Sequence, residues 1–214
     1  MDARERIRLD GEPVTAERLL DTWNDIEPYV RLVDKNSTDA GGVPLSYFEV
    51  ITSLAYAAFA DAPVDVAIIE VGMGGTWDAT SVAAASVAVI TPIGVDHAEY
   101  LGDTIEQIAG EKAGIIAPGC TAVTSRQTDG ARSVVVTRAS ELVVPLTIEA
   151  EDFGLLSRDV AVGGQLVSMR GLRGDYDEVF LPFFGEHQAS HACLALAAVE
   201  AFLGSGDEPL DIDI

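Results

Sequence analysis

Three short runs constrain this chain most: "VDVAII" at residues 64–69, "SVAVIT" at 86–91 and "TAVTS" at 121–125. Each is largely free of charge, which is how a strand covered on both faces of a parallel sheet reads. Helix-compatible segments at 104–115 and 128–142 separate and follow them, so the order is strand, helix, strand, helix. That order predicts an open α/β sheet. Upstream, an alternating piece at 5–9 leads to an Asp10-Gly11 turn. Helical periodicity then runs from about Thr15 to Val33, followed by a polar loop at 34–42 and a buried helix over "LSYFEVITSLAYAAFA" at 45–60. From about Glu151 the period changes to two, with turn signals at Gly163-Gly164 and Gly171 to Gly174. This predicts two or three antiparallel strands before a last helix at 187–203 and an acidic, turn-rich exit.

The chain has 214 residues, 48% of them hydrophobic, enough to bury a substantial core. Thirteen basic residues face thirty-five acidic ones, a formal charge of −22 that repels phosphodiester backbones and anionic lipid. Neither nucleic acid nor a membrane surface is an expected partner. The two cysteines, Cys120 and Cys193, have no metal-type spacing and suggest no disulfide framework. No apolar run reaches the roughly 18 to 20 residues of a membrane span. The expectation is a soluble, cytoplasmic protein and a monomer.

Four stretches carry chemistry. In "IIEVGMGG", Glu70 closes an apolar run, where an acidic metal ligand of nucleotide-hydrolysing folds sits, and Gly72, Gly74 and Gly75 leave the backbone open to phosphate or substrate. An acid that merely caps the next turn reads the same. In "TPIGVDHAEYLG", Asp96 and His97 follow a strand end, as a cation site or as structural hydrogen-bonders. In "IAGEKAGII", Lys112 is one of two lysines, either a functional amine or a snorkelling side chain paired with Glu111. In "FFGEHQASHACLALA", His187, Gln188 and His191 begin a helix, where they reach a nucleotide base or cap the helix.

Taken in order, "ERIRLDGEPV", "LSYFEVITSLAYAAFA", "VDVAIIEVGMGGTWDAT", "AVITPIGVDHAEYLGDTIEQIAGEKAGII" and "GEHQASHACLALAAVEAF" resemble blocks of the Mur ligase superfamily. Within it, they look most like the folylpolyglutamate synthase and dihydrofolate synthase family. The resemblance implies an α/β fold, the Mur ligase central domain: a mostly parallel sheet flanked by helices, with an added antiparallel β segment. It also implies an ATP-dependent ligase that phosphorylates a folate or dihydropteroate carboxylate and lets the amino group of L-glutamate displace phosphate. Glu70 and His97 would then be Mg²⁺ ligands, with Lys112 carbamylated to help hold a second Mg²⁺. His191 would contact ATP. Ser46, Tyr47, Phe48 and Glu49, with Trp77, Asp78 and Ala79, would line the pterin side.

Several departures accompany the likeness. The family's G-x-x-G-K-[ST] phosphate loop has no counterpart, since the sequence contains no Gly-Lys pair. Thr76 stands where arginine is usual, Ser81 where asparagine is usual, and His191 where a nucleotide-contacting asparagine is usual. The expected organisation is a central domain over 1–204, incomplete at its N-terminus, with 205–214 starting a linker to a C-terminal domain. An inactive folate-binding remnant of the fold, and a metal-dependent hydrolase using Glu70, Asp96 and His97, are the competing readings.

Overall fold

The computed structural model describes residues 2–95, 98–204, 206 and 208–211. They divide into two compact units, residues 2–73 with 78–82 and residues 74–77 with 83–211.

The first unit opens with a 3-10 turn, Ala3–Arg6, and a two-residue hairpin, β1 (Arg8–Leu9) with β2 (Glu12–Pro13). Asp10 (φ 52°) and Gly11 (φ 80°) both take positive φ, the turn that matches the twist of paired strands. The alternation at 5–9 thus delivers only two strand residues. Helix α1 (Ala16–Asp39) starts at Thr15, whose hydroxyl accepts the Arg18 N–H at 3.1 Å. It carries Pro28 inside it and runs six residues beyond the expected end at Val33. Exposed Glu27–Arg31 and Lys35–Asp39 pairs at i,i+4 spacing favour helix in this polar stretch, so the loop expected at 34–42 shrinks to a turn at 40–42. Helix α2 (Tyr47–Asp61) packs Ile51, Leu54 and Ala58 against Ile7 and Val14.

The run at 64–69 is not a strand. No strand among the described residues pairs with it, and Val66 and Ile68 are 52% and 92% exposed. Side-chain pattern tells what a covered strand looks like, but a strand exists only where a neighbour completes its ladder. Glu70 therefore follows a segment without regular secondary structure and not a strand end.

The second unit holds two three-stranded sheets. The parallel one has the order β3 (Val87–Ile90), β4 (Thr121–Thr124), β5 (Leu146–Ile148), with β5 unanticipated from sequence. Its crossovers are α3 (Ala98–Leu101) with α4 (Ile105–Ala113), then α5 (Asp129–Glu141). Helix α4 begins with a reciprocal cap between Thr104 and Gln107. The antiparallel sheet, β6 (Gly154–Ala161), β7 (Gly164–Arg170) and β8 (Asp175–Leu181), follows as expected from the change of period. Helix α6 (Glu186–Phe202) serves both sheets. Its Ala189, Cys193, Leu194 and Ala197 share one core with Val123 of β4 and with Val167 and Met169 of β7. Among the described residues, no helix is long and apolar enough to cross a membrane.

Candidate functional site

In the first unit, Ser46 and Glu49 satisfy each other's backbone at the start of α2. The Ser46 hydroxyl accepts the Glu49 N–H at 3.3 Å, and Glu49 Oε2 accepts the Ser46 N–H at 2.7 Å. These bonds with Ser46 hold the Glu49 carboxyl below the usual glutamate range. Tyr47, between them, is 62% exposed. Phe48 turns inward instead. A Cβ at Gly72 would lie 2.5 Å from its ring, so the aromatic ring occupies the space that the glycine opens.

Asp78 is buried, and both of its oxygens are engaged. Oδ1 accepts the Thr80 N–H at 2.9 Å and the Thr80 hydroxyl at 2.6 Å, while Oδ2 accepts the Met73 N–H at 3.0 Å. Burial alone would raise its pKa; the bonds from Thr80, Met73 and Gly72 outweigh it and lower the carboxyl below the usual aspartate range. Asp78 thus braces the segment that follows Glu70 to the 3-10 turn Ala79–Val82, which Tyr56 also holds through its hydroxyl to Thr80 O at 2.8 Å. Ala79 is half-buried and the Glu70 carboxylate is exposed.

In the second unit, residues 74–77 seat on the C-terminal end of α4. Gly74 has φ +73°, a conformation that few other residues take. A Cβ on Gly75 would stand 2.6 Å from Glu111 O and 2.9 Å from Lys112 O, a backbone approach only glycine permits. The Thr76 N–H donates to Glu111 O at 3.1 Å and its hydroxyl reaches the same oxygen at 3.4 Å. Trp77 remains 52% exposed.

This docking frames Lys112. Its side chain is half-buried, and its ammonium has no hydrogen-bond or ion-pair partner among the described residues, so the pair with Glu111 is not formed. Glu111 Oε2 is itself buried and receives no hydrogen bond. A buried carboxylate oxygen without a hydrogen bond is a donor that a hard cation would accept. Among the described residues no group of three His, Cys, Asp or Glu side chains could hold a metal. A magnesium site does not require one, because Mg²⁺ keeps several waters and is held by one or two carboxylates and substrate phosphates. Asp96 and His97 lie outside the described residues.

Helix α6 has Gly185 at its N-cap and so no side-chain cap there, and among the described residues the His187, Gln188 and His191 side chains make no hydrogen bond to the helix start. The two imidazoles are exposed and meet edge to face, with centroids 6.1 Å apart. One turn along, the Ser190 hydroxyl donates to Glu149 Oε1 at 2.6 Å, and Glu149 Oε2 accepts the Arg126 N–H at 2.9 Å. These bonds fasten α6 to the carboxyl ends of β4 and β5, where parallel sheets place ligands. Sequence reasoning passed over Glu149; a polar side chain just after strand β5 was the available signal.

The Mur ligase middle domain model matches residues 37–199. The chain belongs to the Mur ligase family. It is 49% identical over 211 residues to the dihydrofolate synthase/folylpolyglutamate synthase of Mycobacterium tuberculosis, covering 94% of this chain and 43% of that protein. It is 34% identical to the enzyme of the same name from Bacillus subtilis, covering 92% and 45%. The crystal structure of M. tuberculosis folylpolyglutamate synthase complexed with ADP and AMPPCP superposes with a TM-score of 0.92 at 48% identity, covering 98% of this chain and 47% of that one. The chain thus spans a little under half the length of these relatives.

Proposed function

We propose that this chain is the central part of an ATP-dependent ligase that joins L-glutamate to a folate or dihydropteroate carboxylate through an acyl phosphate. The observation that carries the reading is the 49% identity to a dihydrofolate synthase/folylpolyglutamate synthase over nearly the whole chain. In this reading Glu70 and His97 ligate Mg²⁺, and Lys112, as a carbamate, supplies a further oxygen ligand. ATP supplies the phosphoryl group, and Mg²⁺ neutralises the charge that develops as it transfers.

Lys112 supports the assignment in that its half-buried side chain has no hydrogen-bond or ion-pair partner among the described residues, so its amine is not committed to a salt bridge with them. The seat of Gly75 on the Lys112 carbonyl fixes the helix end from which that side chain leaves. His191 faces solvent at the start of α6 and is assigned to the nucleotide. Gly72, Gly74 and Gly75 shape the backbone around Glu70 and α4. Of the residues assigned to the pterin side, Tyr47 and Trp77 each present an exposed ring, whereas Ser46, Glu49 and Asp78 spend their polar atoms on the fold. Ser46, Phe48, Glu49, Asp78 and Ala79 then act by holding the walls in place.

In the full-length native protein, sustained ADP release is expected only when Mg²⁺, ATP, L-glutamate and dihydropteroate or tetrahydrofolate are all present. Sustained ADP formation in the absence of both glutamate and folate refutes the ligase and favours a hydrolase. A second reading, a folate-binding remnant without catalysis, is favoured by Thr76, whose hydroxyl is turned to Glu111 O. It predicts folate binding with no ADP under any of these conditions.

A further inference from the structure

Two of the chain's three histidines, His187 and His191, stand four residues apart in helix α6, so both imidazoles leave the same face one turn from each other. Both are exposed, and their rings meet at 80° between planes with centroids 6.1 Å apart. Neither side chain has a hydrogen-bond or ion-pair partner among the described residues, so the ring nitrogens are uncommitted. His187 is also seated. A Cβ on Gly185 would stand 2.6 Å from its Cε1 and 2.8 Å from its Nδ1, but 3.7 Å from its Nε2. The ring thus folds back over the space the glycine leaves, with Nε2 the farther nitrogen.

Two imidazoles at i,i+4 on one helix face can reach a single ion without any change of backbone, which is how paired histidines on a helix hold zinc. On a tetrahedral ion with Zn–N bonds of about 2.1 Å, two ring centroids lie about 5 Å apart. The rings of His187 and His191 need to close by about 1 Å to meet that geometry, and rotation of the exposed His191 side chain supplies the movement. Imidazole nitrogen selects Zn²⁺ and its late first-row neighbours, whereas Mg²⁺ prefers oxygen. The exposed Glu186 carboxylate beside the pair and the formal charge of −22 oppose the positive end of the helix, which would otherwise disfavour a cation. Among the described residues no third His, Cys, Asp or Glu joins the two, so water completes the coordination.

We propose that His187 and His191 form a two-imidazole site for Zn²⁺. It shares no residue with the Mg²⁺ ligands assigned above and does not depend on the assignment of His191 to the nucleotide.

The test uses the full-length native protein without a histidine tag, free of nucleotide and in excess Mg²⁺, which fills oxygen sites and leaves imidazoles open. Calorimetric titration with Zn²⁺ is expected to show a saturable site. His187→Ala and His191→Ala should each raise its apparent dissociation constant at least about tenfold. The double variant should lose less than the two losses combined, because either change alone destroys the chelate. Cu²⁺ bound in place of Zn²⁺ gives an independent count: its electron paramagnetic resonance spectrum should carry superhyperfine lines from two nitrogens in the parent and from one in each single variant. Both side chains are exposed, so the variants should melt close to the parent; where an alanine variant does not fold, His187→Gln or His191→Gln takes its place. No saturable zinc site in the parent, zinc binding unchanged in either single variant, or a single-nitrogen spectrum in the parent overturns the inference and leaves the two rings as an edge-to-face contact alone.

Discussion

Replacing Asp78 by asparagine tests whether this residue braces the fold or contacts a ligand. The carboxylate accepts three hydrogen bonds in a buried setting, two at Oδ1 and one at Oδ2. Asparagine can keep its oxygen toward Thr80, but its NH₂ then faces the Met73 N–H, donor to donor. One bond to a charged acceptor, worth about 1.5 to 3 kcal/mol, is lost, and the two bonds that remain are weakened to neutral ones. A destabilisation of about 2 to 4 kcal/mol follows, read as a shift in the urea midpoint at pH 7. Thr80→Val removes only the hydroxyl and should cost about 1 to 2 kcal/mol. The double variant should cost less than the sum, since the two side chains share a bond. The pH dependence has a definite sign. A carboxyl depressed in the fold stabilises it at every pH above the unfolded value of about 3.9, and the contribution is lost as pH falls through the folded value. The parent should therefore lose more stability below pH 4 than Asp78→Asn does. A variant within about 0.5 kcal/mol of the parent, with the same acid limb, refutes the bracing role.

Two further outcomes are expected. Gly75→Ala forces a methyl group against the Glu111 and Lys112 carbonyls and should cost about 1 to 3 kcal/mol in thermal unfolding; an unchanged melting temperature would show that residues 74–77 do not seat on α4 as described. Burial, with the Glu149 carboxylate nearby, pushes the Cys193 thiol up to about 12, and Cys120 is also buried. Neither should react with iodoacetamide at pH 8 until the protein is unfolded in guanidinium, and rapid modification of the native protein would contradict this packing.

The sequence showed more of the architecture than of the site. Strands β3 and β4, α4, α5, the antiparallel sheet and α6 follow from apolar period and turn residues, because each lies where its own neighbours pack on it. The run at 64–69 has the same apolar signature and forms no strand, since a ladder depends on a partner that no local pattern can supply. Helix α1 outlasted its apolar period because exposed ion pairs extended it. At the site, residue type announced carboxylates and glycines but not how they are used. Gly72 and Gly75 read as room for phosphate; what residue type could not announce is that a side chain at either would strike the Phe48 ring or the α4 carbonyls. Asp78 read as a substrate contact, yet its lone pairs are taken by Thr80 and Met73, partners that only the folded chain reveals.

Helix α6 presents Ala189, Cys193 and Ala197, all fully buried, between the parallel and the antiparallel sheet. Small side chains on that stripe act as a spacer of fixed thickness. Enlarging any one of them would wedge the two sheets apart, and the displacement would be felt where the helix begins, at Ser190 and the Glu149 carboxylate that ties it to the sheet tips. The interior of this helix thus gauges the position of its first turns, so a methylene added in the core should register first as a loosened Ser190–Glu149 bond.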